Sequence, residues 1–294
     1  MYVFIQNNTV LLTPETYTLK HRYGKSNLKN KCVRFVTMAP ELSGAFEAGK
    51  KMRERDNIVV SAGHSMASVD LAKNAVEKGG YTMLTHLFNA MPSFHHRDPG
   101  LVGLLGCPDV RGVRSFLIFT LVSLTQPITL ICYTTRTLRI LGHQQVRDKF
   151  YYSLIADGIH SHPYSCAIAN ASHPNGLILV TDAMAAMGLE DGEHQLGEMR
   201  VKVKGNRAVI SGTSILAGSV SSMDMCVRKL VEMIGCSPVL ALEAASLHPA
   251  QLLGIQDKKG TLKPGADGDF VMLNDKLEVI ATFIGGACAW RKEL

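Results

Sequence analysis

Two histidines and one aspartate carry the chemistry that stands out in this sequence. His64 sits in Gly63-His64-Ser65 and His86 in Thr85-His86-Leu87, each just after a short apolar run, and Asp182 closes the β-branched run Leu179-Val180-Thr181. Neutral imidazole is a good ligand for zinc and other borderline divalent ions, and two imidazoles from neighbouring strand ends can share one ion with coordination positions left open. A carboxylate in the same mouth can take the proton from an attacking water and later deliver it to a leaving amine. Together the three residues describe metal-assisted hydrolysis with one divalent metal ion, zinc or similar. Glu41, Asp157 and His160 also fall just past apolar runs. Singly, each of these positions reads equally well as a turn residue or a satisfied core histidine. Their repeated placement is what points to a common mouth.

The elements that must position them alternate. Strands are expected over 32–37, 58–62, 82–85, 151–156 and 177–181, and helices over 43–55 (with Ser43 as N-cap), 68–78, 164–172, 223–234 and 238–246. β-branched runs interleaved with amphipathic stretches are the signature of βα units around a parallel sheet. The expected fold is therefore an α/β, (β/α)8-type TIM barrel, in which the C-terminal strand ends converge on the active site. Residues 200–210 alternate polar and apolar around Lys204-Gly205-Asn206 and predict a hairpin. A turn-rich block over 263–269 leads into three short strands at 270–273, 279–284 and 287–290, a small β appendage. The expected division is a segment over 1–31 without clear period, a barrel over 32–259 and a C-terminal β part over 260–294. Within the barrel, residues 112–148 break the rhythm. Their nearly uncharged run 115–133 approaches the ~20 residues of a membrane span, but Gln126-Pro127 interrupts it, and a span between two strands would tear one sheet apart. The segment is read as an insertion.

Composition sets the outer limits. The 294 residues, 46% hydrophobic and 19% charged, suit one large α/β domain with ample material for a core. The net charge of +6 is concentrated in residues 1–34 and 111–149, each with six basic residues against one acidic, which leaves the remainder net negative. That distribution excludes a basic face for nucleic acid. Seven widely spaced cysteines without a C-x-x-C pair suit reduced thiols. No basic n-region precedes an apolar core at the N-terminus, so the expected location is the cytosol, without membrane attachment.

At a finer level the sequence resembles the N-acetylglucosamine-6-phosphate deacetylases of the amidohydrolase superfamily, the animal enzymes most closely. The resemblance is carried in order by residues 35–41, Gly63-His64-Ser65, 85–91, Arg97-Asp98-Pro99-Gly100, 156–160, 180–183, Leu216-Ala217-Gly218-Ser219 and His248-Pro249-Ala250. It implies deacetylation of N-acetylglucosamine 6-phosphate to glucosamine 6-phosphate and acetate in amino-sugar catabolism, by an enzyme that is commonly a homodimer. By position it implies that His64 and His86 bind the metal and that Asp182 is the catalytic acid and base. It further implies that Asn89, Ala90, Arg97, Asp157, Gly158, Ile159, His160, Leu216, Ala217 and Gly218 contact the sugar phosphate. A guanidinium fork such as Arg97 suits a phosphate dianion.

The departures from the family pattern are as specific. A His-Leu-Glu-Gly-Pro block, whose glutamate is the family's third metal ligand, has no counterpart here, nor does a downstream Lys-Gly-Ala-His stretch. Glu41 belongs to a separate family motif and is not assigned to the metal. The pattern implies an N-terminally truncated chain with weakened metal affinity. Two alternatives stay open: an inactive fragment that at most binds sugar phosphate, and an amidohydrolase acting on a cyclic amide.

Overall fold

Six short strands pair in chain order into one parallel sheet: β1 (Tyr2–Ile5), β2 (Phe35–Met38), β3 (Val59–Ala62), β4 (Tyr81–Leu84), β5 (Tyr151–Ile155) and β6 (Leu177–Val180). The computed structural model describes residues 33–107, 150–197 and 199–293, together with the backbone of residues 2–5. Parallel neighbours need crossover connections, and these are helices α1 (Ala45–Asp56), α2 (Val69–Lys78) and α3 (Pro163–Ser172) and a 3-10 segment, Gly100–Gly106. The α/β architecture is the expected one, with boundaries within one or two residues of those read from the sequence except at β2, which begins three residues later than expected. β1 was not legible, because four residues in a stretch without period give no signal. Among the described residues the sheet runs from β1 to β6 without pairing β6 back to β1. The insertion at 112–148, with its apolar run 115–133, lies outside the described residues. No described helix is long and apolar enough to cross a membrane.

Ser43 is not the N-cap of α1. That position belongs to Gly44 at φ 73°, with no side-chain cap, a conformation glycine adopts without the steric cost a serine would meet. Ser68 does cap α2, its hydroxyl accepting from the Leu71 N–H.

Alternation along the strands sorts the sheet into two faces. Val36, Val60, Leu84, Tyr152, Leu154, Leu177 and Leu179 point to the helices, where they pack with Ala45 and Met52 of α1, Ala72 and Ala75 of α2 and Cys166 and Ala169 of α3. The opposite face is layered from one end of the strands to the other. Phe35, Val59, Met83, Tyr151 and Ile178 form an apolar floor. Two residues further along come Thr37, Ser61, Thr85 and Ser153, a row of hydroxyls linked by Thr37–Thr85 and Ser61–Thr85 hydrogen bonds of 2.9 and 2.6 Å. Past this row the strands end, and the histidines begin.

After β6 the chain builds a four-stranded antiparallel sheet, β7 (Gly192–Leu196), β8 (Met199–Lys204), β9 (Arg207–Ile210) and β10 (Leu216–Ser219), which contains the expected hairpin. Helices α4 (Met223–Ile234) and α5 (Pro238–Ala245) contribute Cys226, Leu230, Ala241 and Ala244 to the main core, and α6 (Leu247–Leu252) packs Leu252 against the apolar floor. A three-stranded antiparallel sheet, β11 (Phe270–Leu273), β12 (Val279–Ile284) and β13 (Ala287–Arg291), closes the chain.

Candidate active site

His64 and His86 follow β3 and β4 by two residues each, on backbone that has left the strand for the left-handed region, at φ 49° and 32°; Asp182, two residues past β6, is at φ 46°. Side chains in that region cost about 1–2 kcal/mol each, so the surrounding structure must hold them. Ser65 Oγ donates to Glu41 Oε2 at 2.6 Å and the Met66 N–H donates to Glu41 Oε1 at 2.7 Å, which fixes the turn on the far side of His64. The Ser65 N–H donates to the Ala90 carbonyl at 3.2 Å and ties the two histidine loops together. The His86 N–H donates to Ser153 Oγ at 2.7 Å, and the Leu87 N–H to the Ser153 carbonyl at 2.8 Å. Gly63 must be glycine, because a Cβ there would lie 2.7 Å from Thr85 Cβ.

Held this way, the imidazoles meet at their tips. Nε2 of His64 and Nε2 of His86 are 2.7 Å apart, with the rings at 68°. Burial above all, then the neighbouring His86, pushes the His64 imidazole down to about 4 against the opposing pull of the Asp182 carboxylate. His64 is therefore neutral near pH 7 and keeps a lone pair for a ligand. His64, His86 and Asp182 all line one cavity of about 670 Å³, with Thr37, Thr85 and Ser153 beneath them. The three residues singled out for metal-assisted hydrolysis thus share one mouth. Two converging imidazole nitrogens fit two positions of a divalent ion. Among the described residues, however, no group of three His, Cys, Asp or Glu side chains could hold one.

The remaining predicted residues do not line this cavity. Asn89 donates its side-chain amide to the Leu87 carbonyl at 3.3 Å, and Ala90, at φ 50°, supplies the carbonyl that binds Ser65. Arg97 is exposed on the loop that follows, its N–H on His95 Nδ1 at 3.3 Å. Asp157 is buried and turned onto its own loop: Oδ1 accepts the N–H groups of Ile159 and His160 at 2.8 Å each, and Oδ2 contacts His160 Nδ1 at 2.6 Å. Burial raises its carboxyl, but the bonds from His160 and Ile159 outweigh that and the net shift is downward. Gly158, at φ 77°, makes the turn. Leu216, Ala217 and Gly218 lie in β10 at a bulge, and the Ser219 carbonyl beside them accepts from Met184, two residues past Asp182. His248 of the third C-terminal motif is a core histidine whose Nδ1 meets the Leu177 carbonyl at 2.6 Å. Sequence reasoning missed Ser65 and Ser153. Ser65 stood beside a named histidine, but nothing local marked its partner.

A model of the amidohydrolase family matches residues 41–288. The chain belongs to the amidohydrolase family. Enzymes of this family are generally metal-dependent. Among the amidohydrolases it resembles, the N-acetylglucosamine-6-phosphate deacetylase of Danio rerio is 46% identical over 274 residues, 93% of this chain and 58% of the relative. That of Homo sapiens is 44% identical over 261 residues, 89% of this chain and 55% of the relative. The N-acetyl-D-glucosamine-6-phosphate deacetylase of Mycobacterium smegmatis, solved as an aspartate-to-alanine variant in complex with N-acetyl-D-glucosamine-6-phosphate, superposes with a TM-score of 0.69 at 29% identity, over 88% of this chain and 58% of that one. The chain therefore spans a little over half the length of these relatives.

Proposed function

We propose that this chain carries the hydrolytic centre of an N-acetylglucosamine-6-phosphate deacetylase, acting in amino-sugar catabolism. The observation that supports the reading most is the shared cavity of His64, His86 and Asp182, on a chain whose relatives bear that name. His64 and His86 would hold one divalent ion, zinc or similar, which would supply Lewis-acid polarisation of water and of the acetamide carbonyl. Asp182 accepts the proton of the attacking water and returns it to the sugar nitrogen as the C–N bond breaks, releasing acetate and glucosamine 6-phosphate. The resemblance assigns contacts with the sugar to Asn89, Ala90, Asp157, Gly158, Ile159, His160, Leu216, Ala217 and Gly218, and contact with its phosphate to Arg97, all of them outside the cavity lining. The division into a barrel over 32–259 and a β part over 260–294, a homodimeric state and a cytosolic location belong to the same reading. Among the described residues Cys107, Cys166, Cys226, Cys236 and Cys288 are free.

A second reading has its own support: with two metal-type ligands among the described residues rather than three, the chain binds the sugar phosphate without turnover. One experiment separates them. Purified chain is supplied with zinc, and acetate release is followed from N-acetylglucosamine 6-phosphate, its unphosphorylated parent and N-acetylgalactosamine 6-phosphate. Zinc-dependent release that requires the phosphate, and favours the gluco sugar, is the expected result. Saturable binding of the sugar phosphate with no acetate overturns the deacetylase reading in favour of the second.

A further inference from the structure

The histidine that follows β3 is held by a carboxylate from the loop after β2. We propose that Glu41 is a positioning residue for the metal centre, acting through Ser65 and Met66 to fix His64 against His86, and that it is not itself a metal ligand. The proposal deepens the reading above and rests on it for the role of the two histidines.

Three observations carry it. Both carboxylate oxygens of Glu41 are engaged, Oε2 by the Ser65 hydroxyl at 2.6 Å and Oε1 by the Met66 N–H at 2.7 Å. These two donors are the residues immediately following His64, whose backbone lies in the left-handed region at φ 49° and returns to extended structure if unsupported. Ser65 is buried, accepts the Ala67 N–H at 3.1 Å and passes the restraint to the other histidine loop through its N–H on the Ala90 carbonyl. Glu41 thus reaches both loops through one serine. A carboxylate with both oxygens bound to donors is oriented as a support.

A neutral amide tests this without removing the geometry. In Glu41→Gln the amide oxygen accepts from Met66 and the amide nitrogen donates to Ser65 Oγ, so both contacts survive while ligand strength is lost. In Glu41→Ala both contacts disappear. The first readout is the metal-free imidazole spectrum of the full chain, in which the 2.7 Å His64–His86 contact gives a downfield-shifted nitrogen-bound proton. The second is zinc affinity by competition with a chromophoric chelator. The expected outcome is that Glu41→Ala loses the imidazole signal and weakens zinc about ten- to hundredfold, the range for removing an outer support of a ligand, while Glu41→Gln keeps the signal and stays within about threefold of wild type. Ser65→Ala, which deletes the 2.6 Å bond to Glu41 and the Ala67 N–H contact but keeps the Met66 bond to Glu41, gives the same loss of signal should Glu41→Ala fold poorly. The proposal is overturned if Glu41→Ala and Ser65→Ala leave the signal intact, or if Glu41→Gln weakens zinc as much as Glu41→Ala. If no variant and not even wild type takes up zinc, the imidazole signal still decides the positioning role, and it is the deacetylase reading that fails.

Discussion

The two halves of the candidate site are built differently. The half that would do chemistry stands directly on strand ends: His64, His86 and Asp182 follow β3, β4 and β6 by two residues each, over a row of interlinked hydroxyls, with Glu41 of the loop after β2 and Ser153 of β5 binding the turns. The half that would recognise phosphate, Arg97 with His95 and His96, lies exposed on a loop outside the cavity lining. The contrast teaches where precision is needed. Proton transfer tolerates little displacement of the carboxylate, and rigid elements supply that. A phosphate needs charge within reach, which a flexible guanidinium on a surface loop provides.

This comparison is sharpened most by Asp182→Asn, which leaves the cavity shape intact and removes the proposed proton acceptor. Steady-state kinetics should show kcat lower by about 10²–10⁴-fold, with zinc uptake retained; an unchanged kcat breaks the assignment of chemistry to the strand ends. Behind the same half, Leu154→Ala truncates a fully buried side chain of β5 adjacent to Ser153. Chemical denaturation should reveal a loss of about 2–5 kcal/mol, the usual cost of such a cavity. For the exposed half, Arg97→Ala should raise KM by about 10–100-fold, equivalent to losing about 1.5–3 kcal/mol of charged hydrogen bonding, with kcat nearly constant. Asp157→Asn is a smaller effect, about 1 kcal/mol of stability at neutral pH. Because the folded carboxyl lies below its ordinary range, its contribution is complete above the unfolded pKa near 4 and is lost as the pH falls through the folded value. The variant should flatten that part of the acid-unfolding curve. Smallest of all, Phe94→Ser on the exposed loop should shift stability by no more than about 0.5 kcal/mol in a thermal melt.

What the sequence disclosed follows from how locally each feature is encoded. An apolar run ending in a histidine or aspartate is visible within six residues, so β3, β4, β5 and β6 could be read directly, as could the two histidines and the aspartate that share the cavity. The supports could not, because each joins positions that are distant in the chain: Glu41 and Ser65 are 24 residues apart, and Ser153 and His86 are 67 apart. The hydroxyl row was equally hidden, since single Thr and Ser residues within β-branched strands look like ordinary strand formers. Ser43 was misplaced by one residue because the cap of α1 depends on a left-handed glycine.

The C-terminal sheet offers an unplanned reporter. Trp290 in β13 is the sole tryptophan of the chain and is half exposed, whereas the parallel sheet and its helices contain none. Emission excited at the red edge of the indole band therefore watches β11–β13 alone, while far-ultraviolet dichroism is dominated by the helices around the parallel sheet. Whether those two traces fall together or apart on heating measures how far the two sheets share a single unfolding transition.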